Sequence, residues 1–173
     1  NADAAMYRAK SLGGCRYHSF EPEFHALAVQ RLQLENDLRR AYDAREFLLM
    51  YQPIVNLQTG ELAGFEALLR WIHPQRGTVS PVDFIPLAEE TGQIEAIGAW
   101  VLEEACRQLQ CWQNRGLFSP SVSMSVNLSM RQFAQLDFLD RLDDILRRSG
   151  LAPQCLKLEI TETTLMENSQ RTL

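Results

Sequence analysis

From Phe65 to Trp71 apolar and polar side chains alternate in a way that a buried strand ordinarily avoids. On a strand, Glu66, Leu68 and Arg70 point one way, and Phe65, Ala67, Leu69 and Trp71 the other. The second face is wholly apolar and wants a covering helix. The first puts a carboxylate and a guanidinium on a strand that is otherwise core. Such charges are costly to bury unless they meet a metal, a phosphate or each other. A plain Glu66–Arg70 ion pair stays open at this point. Two later stretches repeat the pattern. Val122 to Ser129 sets Ser123, Ser125, Asn127 and Ser129 against Val122, Met124, Val126 and Leu128. Leu156 to Glu162 sets Lys157, Glu159 and Thr161 against Leu158 and Ile160. Each strand therefore turns an apolar side to helices and a polar side to something shared. Near the end of each polar side stands a hard oxygen donor: Glu66, Asn127, Glu159. Two carboxylates and an amide oxygen suit Mg²⁺ or Mn²⁺, and suit zinc or copper poorly.

The remaining pattern supplies the frame. Phe47 to Pro53 reads as a strand, Thr59-Gly60 as a turn, and Leu62 to Trp71 as the next strand. So short a connection makes the pair antiparallel, because parallel strands need a long crossover. Ser80, with Pro81 behind it and Asp83 in the first turn, starts a helix that Gly92 stops. A second helix from Gln93 to about Arg115 buries Ile94, Ile97, Val101, Ala105, Leu109 and Trp112. After the strand at Val122 a helix runs from Asp137 to Ser149 on Phe138, Leu142 and Ile145, and Gly150 closes it before the strand at Leu156. Past the first hairpin this is a βαβαβ series, hence a parallel sheet with helices on one face. Ahead of it, Pro22 to about Arg45 is a charged helix with Phe24, Leu27, Leu34, Leu38 and Ala41 near a heptad spacing and Arg31 interrupting it. Three short heptads are few for a coiled coil, and a helical linker is the expectation. Ala2 to Leu12 reads as a short helix, Gly13-Gly14 as its stop, and Arg16 to Phe20 as a brief strand.

Composition narrows the classes. A net charge of −5 argues against a non-specific DNA or RNA binder, which would cluster Lys and Arg. No apolar run approaches the ~18 residues of a membrane span, and no signal peptide opens the chain. Cys15, Cys106, Cys111 and Cys155 form no Cys-x-x-Cys pair, and they read as reduced thiols of a cytoplasmic protein. His18, His25 and His73 are scattered, which disfavours a histidine-based site. The chain opens on Asn1 and stops at Leu173 just after a strand, so a piece of a longer protein is expected, whose upstream segments leave membrane anchoring open.

Glu66-Ala67-Leu68-Leu69-Arg70-Trp71, Asn127-Leu128-Ser129 and Glu159-Ile160-Thr161-Glu162 resemble successive signatures of the EAL phosphodiesterase domain, as do Tyr51-Gln52-Pro53-Ile54-Val55 and Asp83 to Glu89. Five such motifs in the family's order are hard to obtain by chance. The resemblance implies hydrolysis of the bacterial second messenger cyclic di-GMP (c-di-GMP) to pGpG. It implies an α/β fold, a modified (β/α)₈ TIM barrel with an antiparallel first strand. A full barrel needs ~200–250 residues, so the chain is expected to hold an incomplete one over residues 46–173, preceded by the helical linker at 22–45. Residues 1–21 resemble the last helix and strand of a GGDEF diguanylate cyclase domain, without the loop that binds GTP.

By resemblance, Glu66, Asn127 and Glu159 are metal ligands for Mg²⁺ or Mn²⁺, and Arg70 contacts a substrate phosphate. Gln52 pairs with guanine or reaches the site through water, unless it is simply a polar strand end. Pro86 lines the base pocket or serves helix packing. Glu162 holds a mobile loop near a homodimer contact, and that loop lies beyond Leu173. An Asp-Asp pair on the next strand and, further on, a lysine that positions water and another glutamate are also required by the family and are absent here, so the chain alone is expected to be inactive. The alternative is a degenerate EAL module that binds c-di-GMP or a partner protein without hydrolysis.

Overall fold

The computed structural model describes residues 22–160. The expected end of a cyclase domain at residues 1–21, Thr161 and Glu162 therefore lie outside the described residues. Residues 1–40 and 41–173 separate into two compact units. In the first, helix α1 (Pro22–Ala41) carries ion pairs one turn apart, Arg39 with Glu35 at 2.6 Å and Arg40 with Asp37 at 2.7 Å.

The expected helix to about Arg45 is corrected: α1 ends at Ala41. Arg45 takes a left-handed backbone conformation (φ 56°), its N–H donates to the Tyr42 carbonyl, and the Glu46 N–H donates to the Ala41 carbonyl. These two bonds close the helix end in the manner usually built on glycine, so no glycine announces the stop.

In the second unit β1 (Phe47–Val55) and β2 (Leu62–His73) form the expected antiparallel hairpin. A short strand, β3 (Gly77–Val79), folds back on the far end of β2. The buried His73 Nδ1 accepts the N–H groups of Gln75 and Arg76, both at 3.1 Å, which makes the turn. Helices α2 (Pro81–Thr91) and α3 (Ile94–Asn114) follow, then β4 (Ser123–Leu128), the one-turn helix α4 (Met130–Phe133), α5 (Phe138–Ser149), a 3-10 turn (Pro153–Cys155) and β5 (Leu156–Ile160). The helix at Pro81 starts where expected, but the Ser80 hydroxyl makes no capping bond; its carbonyl takes the Asp83 N–H instead. The strand read as Val122 to Ser129 is trimmed to Ser123–Leu128, because Ser129 is already the cap of α4. The strand order is β1-β2-β4-β5, with β2-β4 and β4-β5 parallel.

The core lies between one face of this sheet and the helices. Phe65, Ala67 and Trp71 of β2 and Met124 and Val126 of β4 are buried there, with Phe84 of α2 and Ile97, Ala105, Cys106 and Leu109 of α3. Phe47, Trp71 and Phe84 pack as one aromatic cluster, and Tyr51, Phe65, Trp112 and Phe118 as another. Edge-to-face packing of this kind adds stabilisation beyond the area buried. The Trp71 indole donates to the Glu46 carboxylate at 2.8 Å, and the Ile72 N–H to the Glu46 carbonyl at 2.8 Å. Gly64 lets β2 approach β4, since a Cβ there would stand 2.7 Å from the Ser123 carbonyl oxygen.

Candidate functional site

Strand register decides which side chains meet. Gln52 on β1 lies opposite Glu66 on β2, Glu66 is aligned with Ser125 on β4, and Asn127 with Glu159 on β5. Aligned residues share a face, so Gln52, Glu66, Asn127 and Glu159 all stand on the side away from the helices. Arg70 is on the same face of β2, two pleats past Glu66. The face is not uniformly polar, because β1 adds Leu48, Met50 and Ile54, all at least 37% exposed.

Within this row the Asn127 Nδ2 donates to the Glu66 Oε1 at 2.8 Å across 61 residues of sequence. The Asn127 oxygen takes no bond among the described residues. Glu66 is half-buried while Asn127 and Glu159 are exposed. No Glu66–Arg70 ion pair forms among the described residues; Arg70 Nη1 donates to the Leu69 carbonyl at 2.9 Å. The structural alternative for these two charges is thus not the one adopted. A pocket of about 270 Å³ opens beside the ends of β2 and β4, lined among others by Arg70, Ile85, Ile97, Asn127, Ser129 and Gln132. Among the described residues no three His, Cys, Asp or Glu side chains gather. A cation here would depend on the Asn127 amide as a third oxygen.

Arg131 and Gln132, which fix the turn after Asn127, are not among the residues the sequence motifs mark. Ser129 and Gln132 form a complete capping box, and Gln132 is buried at 5% exposure. Arg131 donates to the Glu95 carboxylate and to the Glu89 carbonyl. A signal was present: Ser-x-x-Gln at a strand end is a helix-start pattern.

Electrostatic perturbation lies on the opposite, helix-covered side. Tyr51 packs edge-on against Trp112 with centroids 5.0 Å apart, and its phenol is pushed up to about 12, first by burial, then by the nearby Glu104, with Arg107 opposing. Burial likewise pushes the Cys106 thiol up to about 11. Cys106, Cys111 and Cys155 are free thiols.

Comparison with known proteins places this geometry. The chain is 47% identical over all 173 of its residues to the bifunctional diguanylate cyclase/cyclic di-GMP phosphodiesterase MucR of Pseudomonas aeruginosa, and spans 25% of that protein's length. Among solved structures, the PaMucR phosphodiesterase in complex with c-di-GMP superposes with a TM-score of 0.73 at 46% identity, over 82% of this chain and 56% of that one. The EAL enzyme Bd1971 in its cGMP-bound form gives a TM-score of 0.75 at 37% identity, over 84% and 41%. The mixed α/β sheet is thus the TIM-barrel-like arrangement of EAL structures. The sequence model of the EAL domain matches residues 35–173, and the chain belongs to the EAL domain family.

Proposed function

We propose that this chain is the front half of a divalent-metal-dependent phosphodiesterase domain that opens c-di-GMP to linear pGpG, with Glu66, Asn127 and Glu159 as its share of the metal ligands. The observation that carries this reading is the 2.8 Å bond between Asn127 and Glu66, with Glu159 aligned to Asn127 on the same face. All three donors are hard oxygens, which fits Mg²⁺ or Mn²⁺. A divalent cation held there supplies a bound water of lowered pKa and neutralises phosphoryl charge.

The chain's own residues do the rest. Arg70 can grip a phosphate by two parallel hydrogen bonds, which fixes the ligand's angle as well as its charge. Among the described residues its guanidinium donates to the neighbouring Leu69 carbonyl, so turning to a phosphate sacrifices little. Gln52, exposed opposite Glu66, offers a donor and an acceptor to a base edge or to water. Ile85 and Ile97 give the pocket beside Arg70 an apolar lining. The substrate assignment draws on the named activity of MucR and on the c-di-GMP complex of its phosphodiesterase.

The same reading takes residues 1–21 as the end of a GGDEF domain, 22–45 as a linker, Glu162 as a loop holder near a homodimer contact, and the cytoplasm as the compartment. It also makes the isolated chain inactive, because the Asp-Asp pair of the next strand, and the lysine and glutamate further on, are missing from its sequence; Asp143-Asp144 lies on a helix. The test is direct. Purified and mixed with c-di-GMP and Mn²⁺, the 173-residue chain yields no pGpG by chromatography. The same chain extended through a complete EAL domain does, and Glu66→Gln abolishes that activity. Turnover by the short chain, or undiminished turnover in the extended Glu66→Gln form, overturns the reading. Binding without hydrolysis by the extended form moves the chain to the receptor class.

A further inference from the structure

The turn that follows Asn127 is bolted down at two separate points. Ser129, in extended conformation, closes β4 and caps α4. Its N–H and hydroxyl both donate to the Gln132 Oε1, at 3.2 and 3.0 Å, and its Oγ accepts the Gln132 N–H at 3.3 Å. The Gln132 carboxamide is pressed against α3 where Gly98 leaves room: a Cβ at residue 98 would lie 1.7 Å from Nε2. One residue earlier, Arg131 reaches out over the α2–α3 junction. It binds the Glu95 carboxylate at 3.0 Å and the Glu89 carbonyl at 2.8 Å, and a Cβ on Gly92 would stand 2.9 Å from its Nη2.

These contacts are more than the four-residue helix α4 needs to exist. Their common effect is to fix the backbone two residues past Asn127, whose side chain is exposed and makes one bond, to Glu66. An exposed carboxamide held by one bond keeps its direction only if its backbone is held. We propose that Gln132 is a positioning residue. Through Ser129 it presents the Asn127 carboxamide to Glu66, and thereby sets the affinity of Glu66, Asn127 and Glu159 for a divalent cation. The affinity half rests on the metal reading above. The positioning half does not.

The experiment uses the whole 173-residue chain, ¹⁵N-labelled, with the Asn127 side-chain NH₂ pair assigned by its loss in Asn127→Ala. In the wild type that pair is dispersed and slow to exchange. In Gln132→Ala it collapses to the position and exchange rate of a free amide, while the indole signals of Trp71 and Trp112 stay dispersed. Ser129→Ala does the same, and Ser129→Thr, which keeps a capping hydroxyl, restores the wild-type pair. In the chain extended through a complete EAL domain, Mn²⁺ titration followed by electron paramagnetic resonance shows affinity falling about tenfold or more in the two Ala variants, the size expected for removing a group that orients a ligand. An unchanged Asn127 pair in Gln132→Ala and Ser129→Ala overturns the proposal. Where Gln132→Ala fails to fold, Ser129→Ala, which removes one hydroxyl, decides alone. Absence of Mn²⁺ binding by the wild-type extended form sinks the metal reading and the affinity half with it, while the amide comparison still decides the positioning half.

Discussion

Arg45 holds a backbone angle, φ 56°, that suits glycine, and an L side chain pays about 1–2 kcal/mol to hold it. Arg45→Gly is expected to raise stability by about 0.5–1 kcal/mol after the added freedom of the unfolded chain is subtracted. A higher urea midpoint at unchanged slope is the readout. Gly64→Ala should act the other way, because its methyl would press on the Ser123 carbonyl oxygen as well as on the Ser123 hydroxyl, and the backbone oxygen cannot swing aside. A loss of about 1–3 kcal/mol is expected from that overlap. At this scale the shared polar side of Glu66, Asn127 and Glu159 was legible, since alternation assigns each to the polar face of its strand, whereas Gln52 was marked only by resemblance and joins them through the register of β1. The Ser129–Gln132 box left a local pattern, but the contact of Gln132 with Gly98 did not, because it spans 34 positions and depends on how α3 crosses the turn.

At the level of elements, the Tyr51 phenol of β1 packs on Trp112 of α3, and the Cys106 thiol of α3 is buried. Both groups favour the neutral form when folded. Their folded pKa values, about 12 for Tyr51 and about 11 for Cys106, lie above the ordinary values of 10.0 and 9.0. The native state therefore binds more protons than the unfolded one between these limits, and stability falls as pH rises. Their stabilisation is complete below about pH 9, that of Cys106 is lost by about 11 and that of Tyr51 by about 12. Urea midpoints from pH 8 to 12 should decline across this window, with the lower part absent in Cys106→Ala and the upper part absent in Tyr51→Phe. The long helices α2, α3 and α5 were readable from spacing and from Gly92 and Gly150, whose positive φ angles of 82° and 73° mark the ends. The three-residue β3 and four-residue α4 were not. Neither is long enough to show a period, and each exists because a neighbouring element holds it. The end of α1 was misjudged for a related reason, an arginine standing where the usual stop residue is absent.

For the molecule as a whole, topology followed from connection length. The short link after Val55 forces a hairpin, and the helical links before β4 and β5 force parallel pairing. What the pattern did not reveal is that the row of metal-type donors continues onto an apolar margin at Leu48, Met50 and Ile54. Strand β1 ends the strand order among the described residues, so this margin borders unpaired backbone groups. Such an edge invites pairing with another chain. Sedimentation should show concentration-dependent association of the 173-residue chain, reduced by Met50→Lys, while Lys on the far side of the sheet would disrupt the core instead.

Glu46 grasps β2 twice, through the indole of Trp71 and the amide of Ile72. Any tension on the chain just ahead of Phe47 is therefore delivered first to the residues adjoining Arg70. The strand that carries the guanidinium and the carboxylate is the one best placed to feel a tug from upstream.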